Sequence, residues 1–73
     1  MFLIVELQTH QDGSLLHIEQ IADDINTAYS KYYGILQYAA ISNLPCHSVC
    51  ILSHRGEQIA LQYFEHGEPT LAR

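Results

Sequence analysis

The segment DINTAYSKYYGILQYAAIS, residues Asp24–Ser42, decides the fold because it is the only stretch of the chain with helix-length apolar periodicity. Its apolar residues recur at spacings of three and four and therefore share one helix face: Ile25, Ala28, Tyr32, Ile35, Leu36 and Ala39. Asp24 is a typical N-cap, and Pro45 cannot continue a helix. Gly34 weakens helix propensity and indicates a close approach by a strand or a second chain.

A β-hairpin is predicted on each side of this helix. Four segments have strand-like composition: Phe2–Thr9, Leu15–Ile21, Cys46–Ser53 and Gln58–Phe64. Asp12-Gly13 predicts a two-residue turn in the first hairpin, because both residue types tolerate positive φ, and Arg55-Gly56 marks the turn of the second. The first strand is apolar on both faces at its start and suits the centre of a sheet, whereas the second alternates poorly and is predicted at an edge.

The order β-β-α-β-β predicts an α+β fold, a two-layer ββαββ sandwich in which a four-stranded antiparallel sheet carries one helix on one face. Residues 1–66 form the single predicted domain, and residues 67–73 are predicted to be a frayed C-terminal tail. One helix covers only one face of such a sheet, yet the first, third and fourth strands are apolar on both faces. A second copy of the chain, related by a two-fold axis, is the predicted cover.

Composition supports association and excludes several partners. Hydrophobic residues make up 48% of the 73 residues and charged residues only 15%, so few charges are available to cover the apolar material. The net charge is −5, with only Lys31, Arg55 and Arg73 positive, which argues against nucleic acid and anionic membranes as partners. The apolar run at 2–5 is too short for a signal peptide or a membrane span, which predicts a cytoplasmic protein.

The residue types of a zinc site occur together in the third strand, but their spacing opposes one. On an extended strand Cys46, Cys50 and His54 spread over about 26 Å at ~3.3 Å per residue, and His47 points to the other side. Zinc needs its ligands at about 2.3 Å, so no metal is predicted and the cysteines are interpreted as reduced, buried core residues. Adjacent strand positions also keep His47 from activating Ser48, and no cofactor motif is present, so the prediction is a non-enzymatic protein.

Two polar or aromatic clusters are candidate sites. Pairing about Arg55-Gly56 brings His47 near His66, with Tyr63 in reach, but ordinary surface hydrogen bonding is the favoured interpretation of such residues. Four of the five tyrosines lie in the helix, where Tyr33 flanks the apolar stripe and is placed to line an interface or a ligand groove.

Most of the chain, roughly 2–66, resembles a family of short, uncharacterised proteins encoded in phages, prophages and gut Firmicutes. The resemblance is carried by Val5-Glu6-Leu7-Gln8, Asp12-Gly13, Asn26-x-Ala28-x-Ser30-Lys31-Tyr32, Ile35-Leu36-x-Tyr38-Ala39-Ala40-x-Ser42, Pro45-x-His47-Ser48 and Tyr63-x-x-His66. It implies no established activity, but it marks shared polar positions at Ser30, Lys31, Tyr32, His47, Ser48, Tyr63 and His66. The chain departs from the pattern at Tyr33, where histidine is expected, and at Cys46, where an aliphatic residue is usual.

The leading hypothesis is a non-enzymatic, homo-oligomeric binding or assembly module of phage or prophage type, a dimer through either the uncovered sheet face or the tyrosine-bearing helix face. A phage context suits either a minor structural part or a small interaction protein directed at a host protein. The alternative is a protein that binds or sequesters a small, nucleotide-type signal in a pocket shared between subunits. In that case the pocket is lined from two chains by Lys31, Tyr33, His47 and His66. The candidate ligand or interface residues are Ser30, Lys31, Tyr33, His47, Ser48, Tyr63 and His66.

Overall fold

The strands and the helix occur in the predicted order in a computed structural model, which describes residues 1–66. The elements are β1 (Phe2–Thr9), β2 (Leu15–Ala22), α1 (Ile25–Ile41), β3 (Cys46–Ser53) and β4 (Gln58–Glu65). The sheet order is β2-β1-β3-β4, with every neighbouring pair antiparallel. The predicted α+β class is confirmed, with β1 in the sheet interior and β2 at an edge. The predicted tail, 67–73, lies outside the described residues.

The helix begins where its capping residue predicts. The Asp24 Oδ1 accepts a hydrogen bond of 2.7 Å from the Thr27 N–H, and this bond holds the pKa of the Asp24 carboxyl below its ordinary value. At the other end the Ser42 N–H donates to the Ala39 carbonyl at 3.4 Å. Four members of the predicted stripe are buried: Ala28, Tyr32, Ile35 and Ala39. This helix packs on one sheet face only.

Gly34 lies in the middle of the helix without a close neighbour. A methyl group added at its Cα meets no atom within 4 Å among the residues that the structure describes. The predicted close approach by a strand is therefore wrong, and approach by a second chain stays a prediction.

Both hairpins turn through three-residue loops, which corrects the predicted two-residue turn. In the first, the Gly13 N–H donates to the His10 carbonyl and the His10 N–H donates to the Ser14 carbonyl, both at 2.9 Å. Only the glycine takes positive φ, +88°, so Asp12 does not adopt that conformation and instead accepts from the Ser14 N–H. Gly56, also at φ +88°, closes the second loop by the same pattern of bonds.

Register assigns alternate residues to the two faces of the sheet. Ile4 pairs with Ile51 across β1 and β3, and both side chains are fully buried beneath the helix. The core combines residues of β1, β2 and β3 with the helix stripe: Ile4, Ala22, Ala28, Tyr32, Ile35, Val49 and Ile51. The odd-numbered positions of β1 and the even-numbered positions of β3 face away from the helix. The division of each strand into two faces was predicted, but not which face the helix covers. Within 1–66 the single helix is too short and too polar to cross a bilayer.

Candidate functional site

The seven candidate residues lie in three separate places in one chain. Ser30, Lys31 and Tyr33 lie on the helix away from its buried stripe. His47 and His66 lie on the helix side of the sheet. Ser48 and Tyr63 are directly opposite each other on β3 and β4, on the face turned away from the helix.

Three tyrosine rings on the helix, those of Tyr29, Tyr32 and Tyr33, pack against one another. Tyr33 is exposed and its ring stacks on Tyr29, with centroids 5.8 Å apart, while Tyr32 meets the Tyr33 ring edge-on at 5.2 Å. Burial raises the pKa of the Tyr32 hydroxyl. Lys31 extends towards β2, where its Nζ donates to the Gln20 Oε1 at 3.4 Å. These contacts hold the tyrosines and the lysine against their own chain.

His47 forms a buried polar cluster with β1. Its ring is only 4% exposed, and its Nε2 lies 2.5 Å from the Glu6 Oε2. The Gln8 Nε2 donates to the same carboxylate oxygen at 2.9 Å. With Glu6 accepting, Nε2 carries the imidazole hydrogen, and the buried Nδ1 has no hydrogen-bond partner among residues 1–66. The Glu6 carboxylate orients the His47 ring as a carboxylate orients the histidine of a general base. In the described part of the chain, however, no hydroxyl or thiol forms a hydrogen bond with Nδ1, so there is no nucleophile for the ring to activate.

His66 has a different set of contacts from His47. Its backbone N–H donates to the Pro45 carbonyl at 2.9 Å and extends the β3–β4 ladder. Its ring Nε2 donates to the Ala39 carbonyl at 2.9 Å, which fastens the end of β4 to the last turn of the helix. The residue opposite His47 is Phe64, whose ring lies parallel to that of His66 at 6.1 Å. Tyr63 lies on the other face, so the predicted His47–His66–Tyr63 cluster does not form within one chain.

We call the sheet surface turned away from the helix the open face. It consists of the side chains at Leu3, Val5, Leu7, Thr9, Leu15, His17, Glu19, Ile21, Cys46, Ser48, Cys50, Leu52, Gln58, Leu61, Tyr63 and Glu65. On its outer strands large apolar groups are exposed, with Ile21 at 61%, Tyr63 at 54% and Leu61 at 48%. The open face is therefore largely apolar on all four strands, and His17 and Glu19 interrupt it on β2.

Charge on the open face is confined to two places. His17 Nδ1 lies 3.2 Å from the Glu19 Oε2 along β2, with both side chains more than half exposed. Glu65 lies at the opposite corner, paired in register with Cys46. The two inner strands carry no formal charge on this face.

Both cysteines belong to the open face and are free thiols, partly buried between neighbouring strands. Burial raises the pKa of the Cys50 thiol, which lowers its reactivity at neutral pH. Within residues 1–66, no three His, Cys, Asp or Glu side chains converge to hold a metal ion.

Comparison with protein-family models, with curated proteins and with solved structures finds no match to this chain. The resemblance to short phage and prophage proteins therefore stays a prediction.

Two features of these surfaces were missed at the level of sequence. Glu6 was placed on the face of β1 that also carries Phe2 and Ile4, without a partner for its carboxylate. A carboxylate on a core-facing position requires a hydrogen-bonding group nearby, so the sequence signalled a polar partner for Glu6 but not which residue it is. The His17–Glu19 pair was missed because their strand alternates poorly, although the two residues are two apart and must share a face.

Proposed function

We propose that the chain is a non-enzymatic, homo-oligomeric binding and assembly module, acting in the cytoplasm and of the phage or prophage type that the resemblance implies. Its subunits associate through the open face. The observation that carries this proposal is the apolar character of that face across all four strands, with charge confined to an outer strand and a corner.

The size of the open face is adequate for a small dimer interface. Four strands spaced at ~4.8 Å are about 19 Å across, and eight residues at ~3.3 Å extend about 26 Å. Each chain thus offers on the order of 500 Å², and two chains together bury about 1,000 Å², near the lower limit for a specific interface. A patch of this size is about as large as the largest apolar patch of an ordinary monomer, roughly 300–600 Å², and such patches often serve as binding surfaces.

Light scattering coupled to size-exclusion chromatography tests the proposal directly. At micromolar concentration the wild-type chain is expected to elute at twice its mass of 8.3 kDa. Leu61→Lys places a charge on the open face, against apolar side chains of the partner, and is expected to weaken association by about tenfold or more. The matched control is Ile18→Lys, since Ile18 is a similarly exposed residue on the other edge strand and on the helix side of the sheet.

A wild-type chain that is monomeric under these conditions refutes the proposal. Equal dissociation of the Leu61→Lys and Ile18→Lys proteins would instead place the interface elsewhere. The alternative of a shared small-molecule pocket receives no support from the described contacts, because Lys31, Tyr33, His47 and His66 each bind groups of their own chain in different places.

A further inference from the structure

The open-face residues of β2 have an order that is self-complementary. Along the strand they are Leu15, His17, Glu19 and Ile21, so an apolar residue lies at each end, and an imidazole that can donate a hydrogen bond and a carboxylate that accepts one lie between them. Reversing the strand about its midpoint at Ile18 exchanges histidine with glutamate and leucine with isoleucine. A strand with this pattern pairs favourably with an antiparallel copy of itself.

A face-to-face dimer of two-fold symmetry has its axis in the plane between the two sheets. Two limiting directions keep the strands of the stacked sheets aligned. With the axis along the strands, β2 lies over the partner's β4 and residues at the same level meet. With the axis across the strands, each strand lies over its own copy, running in the opposite direction.

The two directions treat the charges differently. Register places Glu19 level with Leu61, and His17 level with Tyr63. An axis along the strands therefore buries the Glu19 carboxylate against the partner's Leu61, which is unfavourable for an unpaired charge. An axis across the strands sets Glu19 against the partner's His17, and by symmetry this contact is made twice.

The remaining rows divide between the two directions. With the axis across the strands, Leu61 lies over the partner's Tyr63 and Val5 over the partner's Leu7, whereas Leu3 lies over the partner's Thr9 and Cys50 over the partner's Ser48. The row of β2 with its carboxylate therefore decides the direction. The other carboxylate of the open face, Glu65, is at a corner of the sheet and reaches water in either arrangement.

We infer that the two-fold axis of the dimer runs across the strands, so that β2 stacks antiparallel on the partner's β2 and Glu19 of each chain pairs with His17 of the partner subunit. This inference rests on the proposed function, because it requires that the open face be the interface. Exposed ion pairs contribute little, but this pair is desolvated in the dimer and determines the direction of packing.

A pair of oppositely charged variants tests the arrangement. His17→Glu gives a chain with two acidic residues on β2, and the double variant His17→Lys with Glu19→Lys gives a chain with two basic residues. Alone, each variant sets like charges against each other twice, and its dimer is expected to dissociate about tenfold more readily or worse. Mixed in equal amounts, the two are expected to form a heterodimer at least as stable as the wild-type dimer, detected as a mixed mass by native mass spectrometry.

The matched controls are Leu16→Glu and Leu16→Lys, which place a charge on the same strand but on the helix side, opposite the neutral Gln8. Each control is expected to dimerise like the wild type and to mix without preference, and circular dichroism verifies that every variant is folded. Preferential mixing of the controls would show that net charge alone drives pairing and would overturn the inference. A wild-type dimer whose acidic and basic variants are not rescued by mixing overturns the axis direction but leaves the open-face dimer intact. A monomeric wild type overturns both.

Discussion

Replacing either member of the buried Glu6–His47 pair is expected to destabilise the fold more than replacing both. The two side chains are 13% and 5% exposed, so removal of one leaves the other without its main partner in a site that water barely reaches. Breaking a buried pair of this kind costs about 3–5 kcal/mol when the remaining group is fully charged and isolated. Gln8 still donates to Glu6, and that bond reduces the expected loss for His47→Leu to about 2–3 kcal/mol.

Glu6→Met should cost a similar amount by leaving a second ring nitrogen of His47 unpaired. The double variant removes both polar groups while keeping apolar volume, so its free energy of unfolding is expected within about 1 kcal/mol of the wild type. The coupling between the two sites is therefore about 3 kcal/mol or more.

Urea denaturation followed by circular dichroism, at one fixed protein concentration, measures these differences. At a slope of about 1 kcal/mol per molar, which is typical of small chains, each single variant shifts the midpoint by about 2 M. His54→Leu, in an exposed hairpin loop, is the control and is expected to change stability by less than about 0.5 kcal/mol. Single variants whose effects are small and simply add in the double variant would refute the reasoning that Glu6 and His47 stabilise each other.

Three further predictions concern backbone positions. Asp24→Ala should destabilise the helix most at neutral pH, because the Thr27 N–H holds the folded-state pKa of Asp24 low. The ionised Asp24 cap therefore stabilises the fold fully at pH values above the ordinary pKa of the unfolded carboxyl. This stabilisation is lost as the pH falls through the lowered pKa of the folded state. Thermal melts of both proteins across this pH range measure the difference. Gly34→Ala should stabilise the chain by up to ~1 kcal/mol in urea, since its methyl group meets nothing within 4 Å, and a loss of stability would indicate a second chain against the helix. Gly13→Ala should cost about 1–2 kcal/mol because alanine is strained at φ +88°, whereas an unchanged midpoint would show that the loop rearranges.

The helix and the strands could be predicted from local sequence patterns. The side-chain contacts of the candidate site residues could not, because they depend on which strands are neighbours in the sheet. Asp24 identified the start of the helix because capping depends on residues close in sequence. The faces of β1 and β3 followed from a period of two, which no longer-range contact alters. The first turn was predicted with the wrong length, since Asp12-Gly13 suits both a two-residue loop and a loop with one glycine at positive φ.

The polar contacts were less accessible to sequence reasoning. The contact between Glu6 and His47 depends on β1 and β3 being neighbours, and the sheet order does not follow from the chain order. The expected neighbour of His47 was His66, inferred from the local β3–β4 hairpin. That hairpin did form, but its pairing placed Phe64 opposite His47 and directed His66 to the end of the helix.

The position of the N-terminal strand has a consequence for the folding rate. Each hairpin closes a short loop and forms from nearby residues, but the β1–β3 ladder joins Thr9 to Cys46 and Phe2 to Ser53. Closing so long a segment loses chain entropy before any contact compensates for it, so pairing of the two inner strands is expected to limit the rate. Truncating Ile4 or Ile51 at that seam should then slow refolding in stopped-flow experiments, while truncations near the hairpin loops should mainly accelerate unfolding. During synthesis, β1 leaves the ribosome before β3, and it stays unpaired on that side until β3 has also been made.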